Sequence, residues 1–561
     1  MDFKKEIIKL LKKEVKGGIE LTTPPNPDMG DFAFPCFVLA KKLKKSPVDI
    51  AYDLSQKLKK TDNIEEIKAI GPYLNFFINK EKFTESVIDR ILKEKDKHGF
   101  KKKTKKIVLV EYPGPNTNKP LHLGHVRNMV LAQALINILK AAGDKAVAVN
   151  INNDRGVHIC KSMLAYQKWG KGDSPVKSRM KPDFFVGKYY VLFAKKVKQH
   201  PELEKEALDM VKKWEQGDKE TIALWKKMNK WAFDGFQKTY KKFNVNFKKQ
   251  YYESETYKEG KNIILDGFSK GLFKKDETGA VYADLKNGKK VLLRADGTSV
   301  YVTQDIRLAK EKYDDFKYDK SIYVVATEQN YHFKVLFELL KILKFPFAKK
   351  CCHFAYGMVN LPTGKMKSRE GTVIDADNIV KDMENLARKE TKKRHKDLSK
   401  KELDKRASML GMSAIRFHML KYEPIKEVLF DPEKSISFEG ETGPYVQYAH
   451  ARICSVLRKF KGKLSAKTQY NTLKTKEEEV LIKLLSQYPE KVSESAEHYK
   501  LHTIPRYLID LSQALNEFYH AHPVLKAEKS VMEARLKLIT AVKQVISNGL
   551  NLLEIESPEA M

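Results

Sequence analysis

The sequence predicts a multi-domain α/β protein: a Rossmann-like core on a parallel sheet, an N-terminal α+β domain and a C-terminal all-α helical bundle. Three observations carry this. At 561 residues the chain is too long for one hydrophobic core, so three or more domains are expected. Between residues 105 and 160 apolar runs of strand and helix period alternate, which is a βαβ unit with a right-handed crossover. From residue 374 to the C-terminus the apolar spacing is helical.

Taken in order, residues 1–100 read as a small α+β unit. An amphipathic helix spans 3–15, and strands are expected at 30–34 (GDFAF) and 73–78 (YLNFFI). The basic run 101–106 (KKKTKK) marks a junction. The core, 101–375, opens with a strand at 107–110 (IVLV), a helix at 126–139 and a second strand at 146–151. Residues 160–290 are lysine-rich and read as an inserted helical region, with Trp169, Trp214, Trp225 and Trp231 among the lysines. A strand at 321–325 (SIYVV) resumes the sheet. A helical connecting segment, 376–440, carries the basic stretch 392–396 (KKRHK), and 441–561 reads as an antiparallel helical bundle.

Composition bounds the partners. Lys plus Arg is 106 against 72 acidic residues, a formal charge of +34, which points to a polyanion and most simply to nucleic acid. A lysine-biased proteome is the alternative cause, since the lysines are spread along the whole chain. The five cysteines form no CxxC pair, so neither a disulfide framework nor a structural zinc site is expected, and a reducing cytoplasm fits. The N-terminus lacks the apolar stretch of a signal peptide. No window is long and apolar enough for a membrane span.

The most informative short motif is His122-Leu123-Gly124-His125, placed after a strand and before a helix. A helix N-terminus offers free N–H groups and the positive end of the dipole to phosphate. Gly124 is expected to let a flat base approach the backbone. His122 and His125 can donate to phosphate oxygens as charge builds in a transition state. Two ordinary surface histidines at a helix start are the alternative. Far downstream lies Gly364-Lys365-Met366-Lys367-Ser368-Arg369-Glu370-Gly371, basic, glycine-flanked and short. Loops of this kind close over a triphosphate and neutralise departing pyrophosphate. By itself it could be a solvated charge run.

Together the two motifs resemble the paired signature of class I aminoacyl-tRNA synthetases. The flanks narrow the resemblance to the arginyl-tRNA synthetase family: Glu111 to Asn116 (EYPGPN), Lys119-Pro120, Asn153-Asp154-Arg155-Gly156, Tyr301 to Asp305 (YVTQD), Glu328 to Phe333 (EQNYHF) and Gly443 to Arg452 (GPYVQYAHAR). These blocks run in the family's order over nearly the whole chain. The second motif departs from the family pattern: Lys367 stands where serine usually follows the methionine, Ser368 where a lysine is frequent, and Glu370 where a basic residue is common.

The resemblance implies ATP-dependent activation of L-arginine and its transfer to the 3′ end of tRNA(Arg). ATP, as its Mg²⁺ complex, is a substrate and requires no protein metal cage. Catalysis is implied for His122, His125, Lys119, Lys365 and Lys367. ATP is implied to contact His122, Gly124, His125, Lys365, Met366 and Ser368. Arginine is implied to meet Glu111, Asn116, Tyr301, Asp305 and Gln329. Carboxylates suit this task because the guanidinium fork makes two parallel bonds that a lysine cannot. Tyr301 and Asp305 are four apart and share a helical face. Taken singly, Asp305 could be a helix cap, Tyr301 a core tyrosine, Glu111 a solvated strand-end charge and Gln329 a capping amide.

For tRNA, Tyr445, Tyr448 and Arg452 fall on the flank of an apolar helical stripe, where tyrosines and an arginine can stack on splayed bases. Packing within the bundle is the alternative for either tyrosine. The resemblance places these residues at the anticodon, with Met561 nearby. It places Tyr73 and Asn75, on one strand face by alternation, at the tRNA elbow. A monomer without membrane attachment is the family expectation. Two other readings compete. An HxGH nucleotidyltransferase would need neither flanking domain. A catalytically dead synthetase-like RNA-binding protein should have lost a signature histidine.

Overall fold

The computed structural model describes residues 3–22, 24–286, 288–362, 374–462, 465 and 467–561. The chain divides into two compact units. One comprises Met1–His98, Arg452–Tyr488 and Gln513–Val545; the other comprises Gly99–Ala451, Pro489–Ser512 and Ile546–Met561.

The second unit holds a five-stranded sheet whose neighbouring strands are all parallel. Across the sheet lie Cys351–Tyr356, Lys320–Ala326, Ile107–Glu111, Lys145–Asn152 and Lys249–Tyr252. The first strand in the chain is therefore central, with Lys145–Asn152 on one side and Lys320–Ala326 on the other. Winding reverses there, and ligands of such sheets bind in the crevice beyond the carboxyl ends of the strands at that reversal. Both faces of the helix Leu123–Ala141 are apolar and buried, so it packs deep beside the sheet rather than over its surface.

The expected βαβ unit is present as Ile107–Glu111, Leu123–Ala141 and Lys145–Asn152, each longer than its apolar run. The stretch read as a helical insertion differs. Helices Val157–Trp169, Pro182–Lys196, Leu203–Glu215 and Lys219–Lys242 do fill its first part. Lys249–Tyr252 then joins the parallel sheet as its edge strand, where Gln250 Oε1 accepts from the Asn150 and Asn152 amides at 3.3 and 3.2 Å. A three-stranded antiparallel sheet follows, from Lys274–Lys275, Val281–Leu285 and Gly288–Leu293. A four-residue edge strand preceded by a lysine is too short to show a period of two.

In the other unit, Phe32–Pro35, Tyr73–Ile78 and Ile64–Ile70 form an antiparallel sheet with Tyr73–Ile78 at its centre. The helix Phe3–Leu11 buries Phe3, Ile7, Leu10 and Leu11 against its core. The strand Ile64–Ile70 was not expected: IEEIKAI spaces its isoleucines by three, which reads as helix. From Ala376 onward the chain is helical apart from Val428–Leu429, which pairs in parallel with Val359–Asn360. No described helix is long and apolar enough to cross a membrane.

Candidate active site

The two signature histidines close the N-terminus of the helix Leu123–Ala141 reciprocally. His122, in extended conformation, is the N-cap. The Gly124 N–H donates to His122 Nδ1 at 3.1 Å, and the His122 N–H donates to His125 Nδ1 at 3.2 Å. The ring centroids lie 4.0 Å apart. An Nδ1 that accepts a backbone N–H carries no proton, so in both neutral rings the proton sits on Nε2. Burial, reinforced by the charge of Lys119, pushes His122 down to about 3. Burial, with His122 and Lys119, holds His125 well below the usual imidazole range. The site thus presents two neutral Nε2–H donors at a helix N-terminus.

Gly124 has a different reason from the one expected. A Cβ at this position would meet His122 Cε1 at 3.0 Å and Nδ1 at 3.1 Å. The glycine makes room for the histidine ring itself rather than for a base.

The same helix start is tied to the segment that follows the second signature. The Leu123 N–H donates to Ile374 O at 3.1 Å and the Ala376 N–H to Leu121 O at 2.9 Å. Lys365, Met366, Lys367 and Ser368 lie outside the described residues. Asp375 has its carboxyl pushed up to about 6, chiefly by burial and then by Asp183 and Asp377. Asp377 is bonded by Lys181 at 2.6 Å and by Lys242 at 2.9 Å.

Two residues past His125, Arg127 is fully buried and forms no ion pair among the described residues. Its Nη1 donates to Gly357 O at 2.6 Å and Met358 O at 2.8 Å, and its Nη2 to Pro424 O at 3.1 Å and Lys426 O at 2.8 Å. Desolvation lowers the guanidinium to about 10. A Cβ on Gly357 would lie 2.5 Å from the Lys426 backbone, so glycine alone fits where Arg127 draws these chains together.

The expected amino-acid residues lie on several elements. Glu111 closes the central strand and is buried, so it is not a solvated strand-end charge; Lys312 Nζ bonds its Oε2 at 2.5 Å. Asn116 is exposed and bridges to Asn153. Tyr301 is the first residue of the helix Tyr301–Phe316 and is 71% exposed, which excludes a core tyrosine. Asp305 is not a cap: Val300 is the N-cap, and Asp305 Oδ2 pairs with His332 Nε2 at 2.7 Å. Gln329 ends the 3-10 turn Thr327–Gln329, directly after the strand Lys320–Ala326, and its exposed side chain makes no capping bond. An open cleft of about 400 Å³ is lined by Tyr301, His332, Lys290, Val291, Val300 and Val302.

Two carboxyls escaped the sequence reading. Asp154 follows the strand Lys145–Asn152, is buried, and accepts from the Ser254 N–H at 2.9 Å and the Ser254 hydroxyl at 2.7 Å. Glu253 follows the edge strand, and burial pushes it up to about 7; Arg155 opposes this, while Asp154 and Asp305 add to it. The NDRG block at 153–156 was visible in the sequence as a signal for Asp154. Glu253 was hidden because its strand was read as part of a helical insertion.

Of the residues expected at tRNA, Tyr448 is 44% exposed, Tyr445 and Met561 are half-buried, and Arg452 lies over the Tyr519 ring at 5.0 Å. Tyr73 reaches solvent beside Phe37, centroids 5.7 Å apart. Asn75, expected beside it, is only 1% exposed, so it does not share the exposure of Tyr73. Among the described residues no group of three or more His, Cys, Asp or Glu is placed to hold a metal ion.

Three family models match the chain. Residues 2–78 match the arginyl tRNA synthetase N terminal domain, 87–432 the catalytic domain of class I (R) tRNA synthetases, and 446–561 the DALR anticodon binding domain. A protein of Treponema denticola named arginine–tRNA ligase is 45% identical, over 97% of this chain and 95% of its own length. One of Parabacteroides distasonis with the same name is 41% identical, over 98% and 94%. Among solved structures, Thermus thermophilus arginyl-tRNA synthetase superposes with a TM-score of 0.83 at 28% identity, covering 100% of this chain and 99% of that one.

Proposed function

The chain belongs to the class I arginyl-tRNA synthetases, and on that premise we propose how its residues divide the work. It is a ligase that activates L-arginine with ATP and attaches it to tRNA. The observation that carries the proposed mechanism is the reciprocal His122 and His125 cap at the reversal point of the parallel sheet.

Arginine's carboxylate attacks the α-phosphorus of ATP in line, and pyrophosphate leaves. Negative charge grows on the α-phosphate oxygens as the new P–O bond forms. The Nε2–H groups of His122 and His125 donate to those oxygens, and the positive end of the helix dipole adds to the field. Neither imidazole exchanges a proton with substrate, so no general base is needed: the attacking carboxylate is already ionised. Lys119 supplies positive charge beside the pair. Gly124 keeps the backbone close to His122. The β- and γ-phosphates, with their Mg²⁺, are assigned to Lys365 and Lys367, with Met366 and Ser368 beside the nucleotide. The bond from Leu123 to Ile374 supports this, since it ties the sequence just after that loop to the first signature.

For arginine, Glu111, Asp305, Asn116, Tyr301 and Gln329 form the pocket, with Asp154 and Glu253 adding acidity at the neighbouring strand ends. The 2′- or 3′-hydroxyl of the terminal ribose then attacks the arginyl carbonyl, and AMP leaves. Tyr445, Tyr448, Arg452 and Met561 are assigned to the anticodon, and Tyr73 and Asn75 to the elbow, where Asn75 acts by holding its strand rather than by touching RNA. The domains are read as 1–100, 101–375, 376–440 and 441–561. A cytoplasmic location is the reading that five cysteines without a CxxC pair support, and a monomer is the family expectation. The nucleotidyltransferase and dead-synthetase alternatives are not favoured by relatives named as ligases over nearly the full chain.

The test is transfer of labelled arginine to total tRNA with ATP and Mg²⁺, beside lysine, glutamine and cysteine. Arginine-only charging that His125→Ala abolishes is expected. Tight tRNA binding without charging would refute the mechanism.

A further inference from the structure

The buried pair of Glu111 and Lys312 joins residues 201 positions apart and, with Arg535–Glu478, is among the few described ion pairs that are buried on both sides. Lys312 is wholly buried, its Nζ 2.5 Å from Glu111 Oε2 and 3.8 Å from the centroid of the Tyr323 ring. Most of the other pairs lie at the surface, where such contacts contribute little. A buried pair is no better a stabiliser: apolar residues of the same volume do as well or better. Its place in the fold points elsewhere. Glu111 closes the central strand at the crevice, and Lys312 lies two helical turns beyond Asp305 on the helix that begins at Tyr301. One face of that helix therefore carries Tyr301, Asp305 and Lys312.

A lysine is suited to this position for a physical reason. A carboxylate taken out of water needs a fixed counter-charge. A guanidinium would fork across both oxygens, whereas an ammonium is a point donor that engages one. We propose that Lys312 is a positioning residue for amino-acid recognition: anchored over Tyr323, it holds one oxygen of Glu111 and leaves the other to a cationic N–H donor of the substrate. The inference rests on Glu111 lining the arginine pocket, and its test separates the two.

Steady-state aminoacylation by the full chain would compare Lys312→Met, Lys312→Gln, Lys312→Arg, Glu111→Gln and the Glu111→Gln/Lys312→Met double variant. Loss of the counter-charge is expected to raise the KM for arginine by about tenfold or more, with the KM for ATP changed by less than about twofold. Lys312→Arg keeps the charge but forks across both Glu111 oxygens, so it too is expected to raise the KM for arginine. The double variant should match Glu111→Gln alone, because Lys312 acts only through Glu111. If Glu111→Gln raises the KM for arginine while Lys312→Met and Lys312→Gln do not, the positioning role is overturned and the pocket reading stands. If Glu111→Gln leaves it unchanged, the pocket reading falls and takes the inference with it. Equal losses toward all three substrates, with a lowered Tm in both uncharged variants, would make Lys312 a folding residue and overturn the proposal.

Discussion

Replacing Arg127 with methionine should loosen two chain segments without unfolding the protein. Four carbonyls accept from its guanidinium. Two keep a second donor: Met358 O also takes the Val428 N–H at 2.9 Å, and Pro424 O the Gly357 N–H at 2.9 Å. The other two, Gly357 O and Lys426 O, lose the side-chain bond that held them. A buried acceptor left unpaired costs roughly 1–3 kcal/mol, so the local loss is about 2–6 kcal/mol. Hydrogen exchange reads this directly, because local opening has its own free energy. Amides at 357–360 and 425–430 should lose at least about 30-fold in protection, the equivalent of about 2 kcal/mol. Arg127→Lys should fall between, since one ammonium cannot span four carbonyls. The rate of arginyl-adenylate formation should drop as well, because residues 357–362 run in sequence into the second signature. Protection within about threefold of the parent in Arg127→Met would refute the clamp.

Two more predictions rest on the histidine cap. Gly124→Ala should slow adenylate formation more than it lowers Tm, because the new Cβ, 3.0 Å from His122 Cε1, displaces the ring without removing it; unchanged turnover would sink this reading. The cap should also give acid sensitivity. His122, at about 3 when folded and near 6.5 when unfolded, binds fewer protons in the folded chain, so its contribution is complete above about pH 6.5 and is lost as pH falls toward 3. His125 acts in the same direction. At pH 5.5 His122 should cost roughly 1 kcal/mol, and a His122→Asn/His125→Asn variant should show a shallower fall in stability between pH 6.5 and 5.5; an unchanged slope in urea titrations would contradict the buried neutral rings.

The local features of the fold were legible because they are written in neighbouring residues. A strand, a glycine-containing loop and an apolar helix stand together between 107 and 139, and the four-residue spacing of Tyr301 and Asp305 puts both on one helical face. Alternation puts Tyr73 and Asn75 on one strand face, yet Tyr73 is 37% exposed and Asn75 1%, because alternation does not say which other segments cover each part of that face. Contacts over long separations were not legible. Nothing near Arg127 announces that its partners lie at 357 and 424, and Lys312 reads as one more lysine on an amphipathic helix. The capping alternative for Asp305 failed for a similar reason: its partner, His332, comes from the next helix.

Charge explains why the histidines should be neutral. The chain carries +34 overall, which draws in tRNA and ATP. Its amino-acid substrate, however, is itself a cation. The structure answers this locally: Glu111, Asp154 and Glu253 stand at or just beyond the carboxyl ends of adjacent parallel strands, with Asp305 on the helix beginning at Tyr301. An imidazolium pair at the α-phosphate would add two positive charges beside that acidic group and repel the guanidinium. Neutral rings locked with the proton on Nε2 avoid the conflict. They donate to phosphate only as negative charge grows there, and they leave the ground-state field of the pocket negative. At the proposed site, the backbone bonds that fix the tautomer would thus serve arginine selection as well as its activation.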